Sequence, residues 1–124
     1  MIFIVDDDAG VRDSLRHLLE SEGLAAQEFA SCREFLDADW TDERSCLIVD
    51  VHMPGISGIE LLEALWRHRE TLPAIVLSGR IDAAICKRAR AAGALAILEK
   101  PHQTEELLRL VRLALGQQHS LGEG

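Results

Sequence analysis

The sequence predicts an α/β fold, a five-stranded parallel sheet with helices on both faces. Three observations predict it. Short apolar runs alternate with amphipathic stretches from one end of the chain to the other. The clearest runs are continuous rather than alternating, as in strands buried on both faces. Each run is followed by a helix-length segment, the pattern of right-handed strand–helix–strand crossovers. A length of 124 residues fits one domain.

The elements follow in order. Ile2-Phe3-Ile4-Val5 is a buried strand that ends at Asp6. Val11, Leu15, Leu18 and Leu19 recur at helical spacing until Gly23 stops the helix. Residues 25–29 form a weak second strand, and Ser31-Cys32-Arg33-Glu34 is a capping box that opens a short helix over Phe35 and Leu36. A polar loop covers residues 37–45. Cys46-Leu47-Ile48-Val49 is the third strand, closed by Asp50, and Pro54, Gly55 and Gly58 mark a tight loop. Ser57-Gly58-Ile59-Glu60 is a second capping box, before a helix carrying Leu61, Leu62 and Leu65 that Pro73 terminates. Ala74-Ile75-Val76-Leu77 is the fourth strand, closed by Ser78-Gly79. An alanine-rich helix spans residues 81–92 up to Gly93. Residues 94–98 form the fifth strand, closed by Glu99-Lys100-Pro101, and a last helix covers residues 104–115. The domain is expected to occupy residues 1–115. Residues 116–124, polar and glycine-rich, read as a flexible tail, a linker or an expression scar.

Composition excludes several classes. Hydrophobic residues make up 48% and charged residues 27%, which suits a globular protein and not a disordered one. Acids outnumber bases 21 to 13, and the net charge of −8 opposes nucleic-acid binding by this domain. No run of eighteen apolar residues offers a membrane span. The apolar start is too short for a signal peptide and meets three aspartates at once. Three cysteines without ligand spacing suit the reducing cytoplasm, as small hydrophobes.

The polar residues are placed where the chemistry would be. Asp6-Asp7, Asp50, Ser78 and Lys100 each follow a strand, and in a parallel sheet those ends share one edge, where such folds bind ligands. Singly, each has an ordinary reading: a cap, a turn residue, a solvated lysine. Together they are three carboxylates, a hydroxyl and an ammonium. Carboxylates that close stay ionised only around a cation, and an all-oxygen set suits Mg²⁺. A lysine and a hydroxyl facing that metal would receive a phosphoryl group, with one carboxylate as its nucleophilic acceptor. Asp8 and Asp13 read as helix-dipole partners.

Val5-Asp6-Asp7-Asp8, Asp50-Val51-His52-Met53-Pro54-Gly55-Ile56-Ser57-Gly58, Leu77-Ser78-Gly79 and Glu99-Lys100-Pro101 resemble the receiver domain of bacterial two-component response regulators, in particular those of nitrogen-fixation regulators. The resemblance spans about residues 2–115. It implies a flavodoxin-like (βα)5 fold with strand order 2-1-3-4-5. It implies Asp50 as phosphoacceptor, Asp7 as a direct Mg²⁺ ligand, Asp6 acting through water, and the backbone carbonyl of His52 as a further ligand. Ser78 and Lys100 would contact the phosphoryl group, Gly79 would leave room for the donor, and the Lys100–Pro101 bond would be cis. A sensor histidine kinase would be the donor. The face of the fourth helix, fifth strand and fifth helix would respond by regulating an output domain or a separate effector, or by forming a phosphorylation-dependent homodimer. Transcription would be the regulated process. Such a chain is a switch and not a true enzyme, although it catalyses its own aspartyl phosphorylation and dephosphorylation. In one departure, Ile97 stands where the family carries Tyr or Phe, and the chain has no Tyr.

His52 and Arg80, each two residues past a site residue, are expected to overhang the phosphoryl site and govern water access. Leu108 and Leu115, with Ile81 and Ile85, are expected to form an exposed partner surface, rimmed by Lys87, Arg88 and Arg90. Trp40 and Trp66 are expected to be partly buried. The competing reading is a haloacid-dehalogenase-like phosphotransferase using Asp6 and Asp8. It lacks a cap insertion and a second acidic pair. A flavodoxin-like cofactor binder would want a hydroxyl-rich phosphate loop after the first strand. A receiver that works without phosphorylation would not need the full acid, hydroxyl and lysine set.

Overall fold

The computed structural model describes residues 1–38, 44–67, 72–100 and 104–120, with side chains up to residue 116. Trp40, His68, Pro101 and His102 lie outside the described residues, and so does the expected cis bond at Lys100–Pro101. The strands are β1 (Ile2–Val5), β2 (Ala26–Phe29), β3 (Cys46–Asp50), β4 (Ala74–Ser78) and β5 (Ala96–Glu99). The helices are α1 (Ala9–Ser21), α2 (Cys32–Asp37), α3 (Gly58–Arg67), α4 (Ala83–Ala91) and α5 (Thr104–Ser120). All strand pairs are parallel, in the order β2-β1-β3-β4-β5. This is the flavodoxin-like fold.

Alternation along each strand builds two cores. Phe3, Val5, Leu47, Val49 and Val76 face α2, α3 and α4, with Phe35 and Leu61 packed on them. Ile2, Ile4, Ile48, Ile75 and Leu77 face α1 and α5, against Leu15, Leu19, Leu107 and Val111. Because β1, β3 and β4 are covered on both sides, their apolar runs are unbroken. The rings of Phe3, Phe29 and Phe35 pack together, Phe29 edge to face on Phe35 and the other two pairs tilted, with ring centres 5.3–6.1 Å apart. Cys32 and Cys46 are free and buried, and burial pushes both thiols up to about 12, so they act as inert packing groups.

Local signals set the helix starts. Asp8 Oδ1 accepts the N–H groups of Gly10 and Val11 at the start of α1. Ser57 and Glu60 exchange reciprocal bonds at 3.1 and 3.2 Å, the capping box expected there. Ser31 accepts the Glu34 N–H, while Glu34 reaches back one residue further, to the Ala30 N–H.

Several expectations change. α5 runs to Ser120, past Leu115, because one glycine costs a helix only about 1 kcal/mol and the turns continue through Gly116. Leu108 is buried with Leu107 and Val111, so the covered stripe of α5 is wider than the spacing suggested; Leu113 is the exposed leucine, at 45%. Ile85 packs on the opposite side of the sheet from Leu108 and Leu115, so these residues do not share a partner surface. Arg88 is engaged by Glu63 through two bonds of 2.9 and 3.2 Å, which divides the basic patch. Trp66 is 59% exposed rather than partly buried, its ring lying over Gly93.

Gly58 brings α3 against the end of β3. A Cβ there would collide with the Asp50 carbonyl oxygen and lie 2.9 Å from its carbon. Gly58→Ala is expected to destabilise the fold by about 1–3 kcal/mol, the cost of overpacking a tight contact. Urea unfolding checks this; an unchanged midpoint would show that α3 shifts freely.

Candidate functional site

The parallel register builds the site. Val5 lies beside Val49, so the next residues, Asp6 and Asp50, emerge side by side. Asp50 pairs with Leu77, and Ser78 pairs with Glu99, so Ser78 and Lys100 follow at the same edge. The Lys100 N–H donates to the Ser78 carbonyl at 2.7 Å and keeps β5 in step just beyond its last residue.

Carboxylate oxygens of Asp6, Asp7 and Asp50 lie within 4.8 Å of one another. Asp6 and Asp50 are buried and Asp7 is exposed. Lys100 Nζ donates to Asp50 Oδ2 at 3.0 Å and to Asp6 Oδ2 at 3.3 Å. The other oxygens are also engaged: Asp6 Oδ1 accepts the Asp8 N–H at 2.9 Å, and Asp50 Oδ1 accepts the His52 N–H at 3.1 Å. Burial raises the Asp6 pKa. The Asp8 N–H and Lys100 oppose that shift, and the Asp50 charge adds to it. For Lys100, burial works downward, yet the hydrogen bond and charge of Asp50, then those of Asp6, outweigh it and its pKa stands above the ordinary value. The donor set fits a hard divalent ion: three carboxylates on one rim, one open to water.

Ser78 is fully buried, and its hydroxyl faces the β4–α4 loop. Its Oγ donates to the Arg80 carbonyl at 2.6 Å and accepts the Arg80 N–H at 3.2 Å. His52 Nε2 lies 3.4 Å from the same oxygen. The single hydroxyl proton is taken by Arg80, so this contact requires His52 to carry its proton on Nε2. Arg80 therefore meets the site through its backbone, with its side chain exposed. At Gly79 a Cβ would meet nothing within 4 Å, so that flank is open.

Of the residues singled out from sequence, Asp6, Asp7, Asp50 and Lys100 come together. Ser78, His52, Gly79 and Arg80 sit on the adjoining rim. Asp8 does not join them: it is the exposed cap of α1, so the Asp6/Asp8 phosphotransferase reading has no support. Three contacts were not foreseen. Arg12 donates to the Asp6 carbonyl at 2.6 Å and to Glu28 at 3.2 Å. Glu99 Oε1 accepts the Ile81 N–H at 3.3 Å and ties β5 to the β4–α4 loop. Each joins different elements, where no local spacing pattern signals it.

Comparison with known proteins agrees with this geometry. The model of the response regulator receiver domain matches residues 2–112. The chain is 40% identical over 121 residues to the transcriptional regulatory protein FixJ of Azorhizobium caulinodans, covering 98% of this chain and 57% of that protein. It is 39% identical to the transcriptional regulatory protein TdiR of Thauera aromatica, covering 98% and 54%. It thus spans little more than half the length of these curated relatives. The crystal structure of a response regulator receiver protein from Pseudoalteromonas atlantica superposes with a TM-score of 0.86 at 31% identity, covering 94% of this chain and 97% of that one.

Asp6 supplies a pH test. A carboxyl with a raised pKa stabilises the fold while protonated, and that contribution is lost as pH rises through its folded value. At neutral pH the buried charge is therefore a cost. Asp6→Asn is expected to raise the metal-free Tm at neutral pH. The gain should shrink as pH falls and native Asp6 becomes neutral. Thermal melts in chelator at several pH values check this; a lower Tm at neutral pH would mean that the bond to Lys100 outweighs burial.

Proposed function

The chain belongs to the response regulator receiver domain family, and from that premise we propose that it is a switch set by phosphorylation of Asp50. The observation that carries this reading is the pair of bonds from Lys100 to Asp50 and Asp6, beside the exposed carboxylate of Asp7. An Asp50 carboxylate oxygen attacks phosphorus on a phosphohistidine of the donor kinase. The P–O bond forms as the P–N bond breaks, and an acyl phosphate results. Lys100 already donates to Asp50 and turns to the new phosphoryl oxygens. Water later attacks phosphorus, releasing phosphate and restoring the carboxylate.

Asp6, Asp7, Asp50 and the His52 carbonyl would hold Mg²⁺, which supplies positive charge against the phosphoryl oxygens. The residues fit because all the donors are oxygens on one edge, with a water-exposed flank at Asp7. Gly79 leaves the donor's approach clear. His52 and Arg80 flank the path of the hydrolytic water.

Phosphorylation adds nearly two negative charges where Ser78 ends β4. To reach a phosphoryl oxygen, the Ser78 hydroxyl must leave the Arg80 carbonyl, which frees the β4–α4 loop. Release of that loop is the signal passed to α4 and β5. Ile97 cannot provide an aromatic rotamer change, so the signal travels through backbone displacement and aliphatic packing. Residues 1–115 act as the receiver. An output domain in a longer chain, or a separate effector, reads the change and controls transcription; a phosphorylated homodimer is one form of that readout. The setting is the cytoplasm, with a sensor histidine kinase as donor.

Intact-mass measurement after acetyl phosphate and Mg²⁺ is expected to show one added phosphoryl group on the native chain and none on Asp50→Asn. A native chain that gains no mass with any donor would overturn the reading. His52→Ala is expected to shorten the acyl-phosphate lifetime severalfold by opening the water path, followed as phosphate release; an unchanged lifetime would remove His52 from that role.

A further inference from the structure

We infer that Arg12 is a positioning residue for the metal site, acting on the peptide that joins Asp6 to Asp7. The inference rests on the proposed Mg²⁺ role of these carboxylates. Arg12 stands on the first turns of α1 and is largely covered, its side chain 16% exposed. Nη1 donates to the Asp6 carbonyl at 2.6 Å, and Nε donates to Glu28 Oε1 on the edge strand β2 at 3.2 Å. Arg16 Nη1 meets Glu28 Oε2 at 2.8 Å, so the carboxylate that aims Arg12 is itself held from both sides.

The grip falls on a particular peptide. β1 ends at Val5, so the Asp6 carbonyl lies past the last residue of the strand. Its oxygen and the Asp7 nitrogen belong to one planar unit. Holding the oxygen fixes the rotation of that plane, and with it the direction in which Asp7 leaves the chain. Asp6 has other restraints: its N–H donates to the Phe29 carbonyl at 3.2 Å, and both carboxylate oxygens are bonded. Among the described residues no hydrogen bond or ion pair restrains the Asp7 side chain, which is exposed. Its aim toward Asp50 depends on its backbone, which Arg12 holds at the Asp6 carbonyl on one side while Asp6 Oδ1 holds the Asp8 N–H on the other.

Charge and position make opposite forecasts for removal of Arg12. A guanidinium near a cation site repels the cation, so loss of charge alone would tighten Mg²⁺ binding. Loss of positioning would weaken it. Outer partners that orient ligands are worth about tenfold or more in metal affinity, and the positioning effect is the larger.

The test is isothermal titration of the full chain with MgCl₂ alone, alongside thermal melts in chelator. Arg12→Ala is expected to raise the Mg²⁺ Kd about tenfold. Arg12→Lys cannot bond the Asp6 carbonyl and Glu28 in the same forked manner and is expected to weaken binding severalfold while keeping the fold. It carries the test if the alanine variant does not fold. Glu28→Gln keeps the donor but loosens its aim, with a smaller loss. Affinities for the Arg12 variants equal to or tighter than native, with only Tm lowered, would reduce Arg12 to a pin between α1 and β2 and overturn the inference. Asp7→Asn, expected to bind Mg²⁺ far more weakly than either Arg12 variant, tests the metal reading separately. A native chain that binds no Mg²⁺, or Asp7→Asn binding as native does, would overturn that reading and this inference with it.

Discussion

Two buried carboxylates held side by side repel each other, and everything else at this site answers that repulsion. The parallel sheet imposes the closeness, because residues that follow Val5 and Val49 in register have nowhere else to go. Lys100, brought in from the far edge strand, bridges the pair. The bridge compensates incompletely, since burial still raises the Asp6 pKa. A site with two buried carboxylates, one water-facing carboxylate and a bridging ammonium has a donor set that suits a hard cation.

Much of this was legible in the sequence because the two levels of pattern agreed. Apolar runs marked the central strands, turn residues marked their ends, and the polar residues fell just past those ends. Capping boxes fixed the starts of α2 and α3 for a local reason, a side chain bonding a backbone only a few residues away. What stayed hidden was non-local. Nothing near Arg12 announces Glu28, sixteen residues on and across an element boundary. Leu108 looked exposed because helical spacing gives the centre of a buried stripe better than its width. Trp66 is more exposed than the partly buried packing position expected from its size, because its helix face turns outward. The end of α5 was misread for a thermodynamic reason: a lone glycine weakens a helix without ending it.

The β4–α4 loop is tied down by polar side chains. Three groups restrain it from different sides: the Ser78 hydroxyl, the Glu99 carboxylate and the cap at Asp82, whose side chain accepts the Ile85 N–H at 2.8 Å. Of these, Ser78 alone is one of the candidate site residues. Under the proposed function, exchange of that one bond would leave the Asp82 cap of α4 in place. Arg88 and Glu63 join α4 to α3 on the same side of the sheet.

The indole of Trp66 has a consequence of its own. Its outer ring carbons lie 3.8–3.9 Å from where a side chain on Gly93 would begin, at the turn that closes α4, while most of the residue faces solvent. A mostly exposed indole with one edge near a neighbouring turn emits light according to how that edge is covered. Any tilting of α4 would change that cover and be read in the emission without dye or label, from the side of the sheet away from α1 and α5.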